Sequence, residues 1–301
     1  MNDLSPIALF AYKRPSHTEK SLESLSKCEG ADESELFIFC DGAKKQEDVE
    51  AVNEVRRVVK SRKWCGKVHI IEQDRNLGLA NSIIRGVTEL CEKYGRVIVL
   101  EDDLIVSRYF LNYMNSALIR FENDERVMQI SAHMFPVDLK IDLEAVFFPF
   151  TTSWGWATWR YSWLHFDQDM KGYNSLKKDV SLRRRFDLDG VYPYFNMLEQ
   201  LRKGKVDSWA IRWYLSVFMQ GGLTLYPTKS FVKNIGFDGS GTHCNNSKSD
   251  FIEIETDFRV LTFPNRVEVS EHAFGECKKY LRNIHRGFLT YIKETISTLM
   301  Q

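Results

Sequence analysis

Along the first half of the chain, short apolar runs alternate with stretches in which apolar residues recur every three or four positions. Pro6 to Tyr12 (PIALFAY), Glu35 to Cys40 (ELFIFC), Lys67 to Glu72 (KVHIIE), Arg96 to Leu100 (RVIVL) and Val127 to Ala132 read as strands. Ser16-His-Thr-Glu19 matches a capping box opening a helix through Lys27, and a polar helix follows from about Glu47 to Lys60. Leu79 to Tyr94 reads as a helix, with Ile83, Val87, Leu90 and Cys91 at helical spacing and Gly95 as its stop. Arg108 to Glu122 is the next helix. Strands apolar on both faces and separated by helices predict βαβ units and a parallel sheet covered on both sides. Such sheets bind ligands beyond the carboxyl ends of their strands. The polar residues just after strands are therefore the candidates: Lys13 and Arg14, Asp41, Asp74 to Asn76, and Glu101 to Asp103. None of the nearby glycines forms GxGxxG, which argues against a dinucleotide enzyme.

The pattern changes near Pro136, where the periodicity becomes less regular and tryptophan accumulates at Trp154, Trp156, Trp159, Trp163, Trp209 and Trp213. No linker, repeat or low-complexity tract separates the halves, so residues 1–135 and 136–273 are expected to share one continuous body. Phe274 to Gln301 forms an amphipathic pattern. Leu281, Ile284, Phe288, Ile292, Ile296 and Leu299 fall on one side, and basic residues lie largely elsewhere. That pattern suits an anionic membrane surface, an ordinary packed helix or a dimer contact equally.

Composition narrows the classes. The 301 residues carry 41 Lys+Arg against 41 Asp+Glu, a formal net charge of zero, so no overall field draws the chain to nucleic acid. Hydrophobic residues at 44% and aromatics at 13% exclude a disordered chain. The six cysteines, Cys28, Cys40, Cys65, Cys91, Cys244 and Cys277, are scattered without a CxxC pair, which is the usage of reduced thiols in a cytosolic protein. The acidic start lacks the basic-then-apolar order of a secretory signal, and no apolar run approaches the ~20 residues of a membrane span. A cytoplasmic protein is expected, with peripheral contact at the inner face of the cell membrane as its one route to lipid.

Glu101-Asp102-Asp103 directly after VIVL places three carboxylates together at a strand end. They repel one another unless something positive sits among them. A hard divalent cation bound to phosphate oxygens requires such a cluster. Acids are equally favourable where they merely open the next helix.

Four segments in order, FAYKRP, FCDG, EQDRNLGLANSI and VIVLEDDLIVSRYFLNYM, resemble the donor-binding half of GT-A glycosyltransferases. The EDDL segment is most similar to N-acetylglucosaminyltransferase I and to bacterial sugar transferases of the family 2 type, and the likeness runs over about residues 5 to 245. It implies an α/β fold of the GT-A kind: a Rossmann-like, mostly parallel sheet with helices on both faces and a continuous acceptor-side subdomain. It also implies roles. Asp103 would ligate Mn²⁺ or Mg²⁺, Asp102 would contact the ribose or sugar, and Glu101 a hydroxyl of the transferred sugar. Asp41 would accept a hydrogen bond from the base, uracil first among candidates, with Arg14 near the nucleotide and Arg75 in the donor loop closed by Gly78.

The second half carries matching segments. Asp207, in Val-Asp-Ser-Trp-Ala, aligns with the base of an inverting transfer, although this chain has Ser208 where the family has a second acid. Ser153-Trp-Gly-Trp156 resembles the Gly-Trp loop beside the transferred sugar, and Trp156 is the residue expected to serve there. Asn234 to His243 resembles a mobile loop that orders over the donor, and His243 would complete the metal shell. The expected partners are a nucleotide-sugar donor and a carbohydrate or lipid-linked glycan acceptor. A sugar-1-phosphate nucleotidyltransferase is the nearest rival, though AYKRPSHTEK lacks the Gly-rich basic loop such enzymes show after the first strand. A non-catalytic carbohydrate-binding protein is the rival from another class.

Overall fold

The computed structural model describes residues 4–238, 254–255 and 257–284. Its strands are β1 (Ile7–Ala11), β2 (Glu35–Cys40), β3 (Lys67–Glu72), β4 (Arg96–Glu101), β5 (Leu104–Val106), β6 (Val127–Ser131), β7 (Ala145–Phe148), β8 (Trp156–Trp159), β9 (Leu223–Pro227) and β10 (Val232–Asn234). Eight of them form one sheet in the order β3-β2-β1-β4-β8-β6-β9-β7. All run parallel except β7 and β8, which are antiparallel to their neighbours. The α/β architecture expected from the alternating pattern is therefore present, and the sheet runs through both halves of the chain. β8, from the second half, lies between β4 and β6 of the first.

The continuous apolar runs follow from two-sided burial. In β1, Ile7, Leu9 and Ala11 enter one core while Ala8 and Phe10 enter another. β2 and β4 divide in the same way: Leu36, Ile38, Ile98 and Leu100 face one side, Phe37, Phe39, Val97 and Val99 the other. Helices α1 (Pro15–Ser26), α2 (Val49–Lys60) and α4 (Phe110–Arg120) cover the first face through Leu22, Val55, Phe110 and Met114. Helices α3 (Leu79–Tyr94) and α9 (Trp209–Met219) cover the second through Ile83, Val87, Trp213 and Val217. A third cluster packs α6 (Tyr173–Lys178), α7 (Val180–Phe186) and α8 (Tyr194–Arg202) around Phe148 and Tyr226 at the outer end of the sheet. The short helix α5 (Arg160–Trp163) follows β8 directly.

One expectation changes. Ser16 and Glu19 do not form a capping box: α1 begins at Pro15, with Arg14 at the cap position and no side-chain cap. Pro15 is suited to that first position because its missing N–H would be unpaired anyway. Sequence periodicity also missed the two-stranded ribbon of β5 with β10, whose strands span three residues each. Residues 271–284 are helical, and Phe274, Cys277 and Leu281 bury into the third cluster while Lys278 pairs with Asp189 at 2.7 Å. Residues 274–284 of the C-terminal segment are thus packed on the domain, and 285–301 lie outside the described residues. Among the described residues no helix is long and apolar enough to cross a membrane.

Candidate active site

The strand order turns back between β1 and β4: the chain proceeds outward to β2 and β3 on one side and to β8 and beyond on the other. A crevice opens beyond the carboxyl ends of the two strands at such a switch point. The segment after β1 and the segment after β4 meet there. Arg14 Nη2 donates to Asp102 Oδ1 and, at 2.9 Å, to Asp103 Oδ2. The Tyr12 amide donates to Asp102 Oδ2 at 3.4 Å, and Ser21 Oγ of α1 donates to the Asp102 carbonyl at 2.9 Å. Both acids are buried. Burial opposes the Arg14 charge, yet the two carboxylates outweigh it and its pKa is raised. Burial raises Asp102, with Arg14 pulling part of the way back. Glu101 is raised by burial and then by repulsion from Asp103 and Asp102. Even with Glu101 held toward its neutral form, Asp102 and Asp103 outnumber the single Arg14 guanidinium and leave this strand end with surplus negative charge.

The β5–β10 ribbon brings a second loop over the acids. Ile235 N donates to the Asp103 carbonyl at 2.8 Å, and Gly236 N donates to Asn234 Oδ1 at 2.7 Å. Gly236 sits so close that a Cβ there would lie inside van der Waals contact of Asp103 Oδ2 and 2.9 Å from Arg14 Nη1. From α1, His17 Nε2 reaches the Ile235 carbonyl at 3.3 Å and the Asp238 carboxylate at 3.1 Å. Because Asp103 is pinned by Arg14, it cannot swing away from an added methyl. Gly236→Ala should cost about 1–3 kcal/mol of stability, the range for overpacking such a contact, read as a lowered urea midpoint. An unchanged midpoint would show that the loop lifts away from the acids without cost.

Asp41 departs from expectation. Its carboxylate accepts from the amides of Gly42, Leu77 and Gly78 at 2.9, 2.8 and 2.9 Å and from Asn76 Nδ2 at 2.9 Å. Four donors fill the acceptor capacity of a carboxylate. The structure therefore gives Asp41 the task of folding the 74–78 loop back on the end of β2, and no lone pair is left for a base. Gly78, at φ 79°, makes that turn possible before α3 begins. Arg75 is exposed on the same loop. Tyr12, which the sequence did not single out, braces the neighbouring segment. Its hydroxyl donates to Asp48 Oδ2 at 2.8 Å and accepts from Lys44 N at 3.0 Å, and burial foremost pushes its pKa up to about 12.

Trp156 is also corrected. It is 0% exposed, stacked on Trp209 with ring centroids 5.0 Å apart and flanked by Trp163 and Trp213, so it is core. The half-buried Trp154 is the tryptophan of this loop that reaches the site, packed edge-on against Phe237 at 5.5 Å and His133 at 4.6 Å. His133 is 3% exposed, its Nδ1 has no partner among the described residues, and burial lowers its pKa from 6.5 to about 3. The unfolded imidazole binds a proton below about 6.5 while the folded one resists until about 3. Stability should therefore fall as pH drops through that window, by at most roughly 1.4 kcal/mol per pH unit. Urea midpoints at pH 7 and pH 4.5 should show a shallower acid loss in His133→Phe; an identical loss would assign it to other groups.

Asp207 is 60% exposed and pairs with Arg212 Nη1 at 3.0 Å. Ser208, rather than Asp207, caps α9 by accepting from the Ile211 amide. Trp209 stacks on Trp156, which pairs with Val99 near the carboxyl end of β4, so the start of α9 lies at the same edge of the sheet as the acids. No hydrogen bond or ion pair among the described residues joins Asp207 to the acid cluster. The structure thus brings Arg14, Glu101, Asp102 and Asp103 together and keeps Asp41, Arg75, Trp156 and Asp207 outside that contact. His243 lies outside the described residues.

Among the described residues no group of three or more His, Cys, Asp and Glu side chains is arranged to hold a metal by itself. The surplus negative charge at 101–103 nonetheless fits a divalent cation whose shell is completed by phosphate oxygens, the usual habit of Mg²⁺ with one or two carboxylates.

No family model matches the chain, and no curated protein matches it. Among solved structures, the galactosyltransferase LgtC in complex with donor and acceptor sugar analogues aligns over 73% of this chain and 72% of its own, at 11% identity and a TM-score of 0.36. Mouse xyloside xylosyltransferase 1 aligns over 72% and 81%, at 11% identity and a TM-score of 0.35. The bifunctional glycosyltransferase WbbM aligns over 55% of this chain at 7% identity and a TM-score of 0.31, and the match spans 33% of the WbbM chain. At such scores none of them bears on what this chain does.

Proposed function

We propose that the protein is a metal-assisted, inverting glycosyltransferase that moves a sugar from a nucleotide-diphosphate donor, with uridine the first candidate, to a hydroxyl of a glycan or glycolipid. The observation that carries this reading is the convergence of Arg14 with Asp102 and Asp103 at the β1/β4 switch point, beneath the Gly236 backbone. Asp103 is the residue to hold Mn²⁺ or Mg²⁺, which would offset diphosphate charge and take up charge on the leaving group. Arg14, already matched to two carboxylates, has the fork geometry to turn toward a phosphate. Asp102 and Glu101 then accept from sugar or ribose hydroxyls. Trp154, in place of Trp156, offers an aromatic face to the sugar, and Asp207 takes the acceptor hydroxyl's proton as its oxygen attacks.

The discriminating experiment combines thermal shift with donor hydrolysis over a panel of nucleotide sugars, with Mn²⁺ or with chelator. Stabilisation by a nucleoside diphosphate that needs the metal, with slow release of that diphosphate from the donor, is expected. Pyrophosphate released from a nucleoside triphosphate and a sugar phosphate would make the protein a nucleotidyltransferase instead. Silence across the panel would leave a carbohydrate-binding protein. Asp207→Asn should reduce transfer on the order of a hundredfold or more while donor affinity stays near normal. Persistent transfer would move the base elsewhere.

A further inference from the structure

We propose that the surface formed by α6 and α7 docks on an anionic membrane, an inference independent of the transferase reading. The chain as a whole is neutral, but residues 171–185 hold six Lys and Arg against the single acid Asp179. That acid caps α7, accepting from the Leu182 amide at 2.9 Å, and Asp167, Asp169, Asp187 and Asp189 bracket the stretch, Asp189 being paired with Lys278 at 2.7 Å. Lys171, Lys177, Lys178, Arg184 and Arg185 are exposed, and none has an ion-pair partner among the described residues. Other exposed cations, among them Lys20, Lys27 and Lys63, also have no ion-pair partner among the described residues, but they are scattered along the chain. Five such cations within fifteen residues, on or just ahead of two successive short helices, concentrate charge that is free to meet something outside the molecule.

The apolar residues on this surface favour lipid over a dissolved polyanion. Val180, at the join between α6 and α7, is 65% exposed. Leu164, 73% exposed, and Met219 line a groove of about 350 Å³ together with Lys171 and Asp167, just ahead of α6 in the chain. A bilayer interface takes in aliphatic side chains while its headgroups meet the cations beside them. A solvated polymer has no place for those side chains. Helices α6 and α7 are anchored from beneath by Tyr173, Leu176 and Phe186, so the surface is presented by a packed base.

Sedimentation of the full chain with vesicles of phosphatidylcholine alone, or mixed with phosphatidylglycerol, tests the assignment. Binding to the mixed vesicles only, weakened by high salt, is expected. Each neutralised cation should cost roughly fivefold, so the combined Lys177→Gln, Lys178→Gln, Arg184→Gln and Arg185→Gln variant should lose roughly five hundredfold. Val180→Ser should weaken binding at unchanged charge. All these positions are exposed, and a melting curve checks that the fold survives; the two-site variants on either helix alone serve if it does not. The variants leave residues 274–301 intact, so binding that survives them would belong to that segment and overturn the proposal. Equal binding to neutral vesicles, no binding to either, or retention on heparin without vesicle binding would overturn it as well.

Discussion

Asp103→Asn is expected to lower sugar transfer on the order of a thousandfold and to abolish the metal-dependent part of nucleotide stabilisation. The substitution preserves shape and removes one negative charge from a cluster that already holds more than Arg14 neutralises. The fold should therefore tolerate it, because Asp102 keeps its own bond to Arg14 and the Asp103 carbonyl still accepts from Ile235. Two assays read the result separately: turnover of a nucleotide sugar, and the shift in melting temperature when Mn²⁺ is added with a nucleoside diphosphate. A variant that retains both would remove the acid cluster from the chemistry.

Arg14→Met should have the largest effect on stability. It leaves Asp102 and Asp103 buried without their shared partner, beside a Glu101 whose carboxyl is already raised. Removing one member of a buried ion pair costs about 3–5 kcal/mol, and the partial exposure of Arg14 places this case at about 3. For a chain of 301 residues that corresponds to a fall of roughly 5 °C in melting temperature. Adding Asp102→Asn should restore part of the loss, because one of the stranded charges goes with it. A melting temperature within a degree of the unaltered protein would show that solvent reaches the acids and replaces the guanidinium.

Much of the scaffold was readable because two-sided burial leaves an unambiguous trace. β1, β2 and β4 are apolar at nearly every position, and α3 carries its stripe of Ile83, Val87, Leu90 and Cys91 up to the left-handed Gly95. β3 was found as well, although as the edge strand it is only partly buried. β7 through β10 were not legible. They run three to five residues, and in WATW the aromatic residues serve strand and core together, so no period emerges. The acid cluster was legible too, since three adjacent carboxylates at the end of a buried strand repel one another and call for a cation. Asp41 misled because an acid after a strand reads alike whether it meets a ligand or its own loop. The neighbouring Asn76 and the Leu77 and Gly78 amides, all within five residues of one another, were the available signal. Trp154 and Trp156 were confused for a different reason: side-chain direction is set by the backbone, and Gly155 at φ 64° turns the chain between them.

The position of β8 governs how the polypeptide reaches its final form. Until residues 156–159 arrive, β4 has an open side toward which β6 cannot close, since the two are bridged only through that inserted segment. A nascent or truncated chain ending near residue 135 would display a hydrogen-bonding edge flanked by Val97 and Val99, the kind of surface that recruits other chains. Productive maturation of residues 1–135 therefore waits on synthesis of the portion that follows, and expression of the leading fragment alone should yield aggregates rather than a folded half.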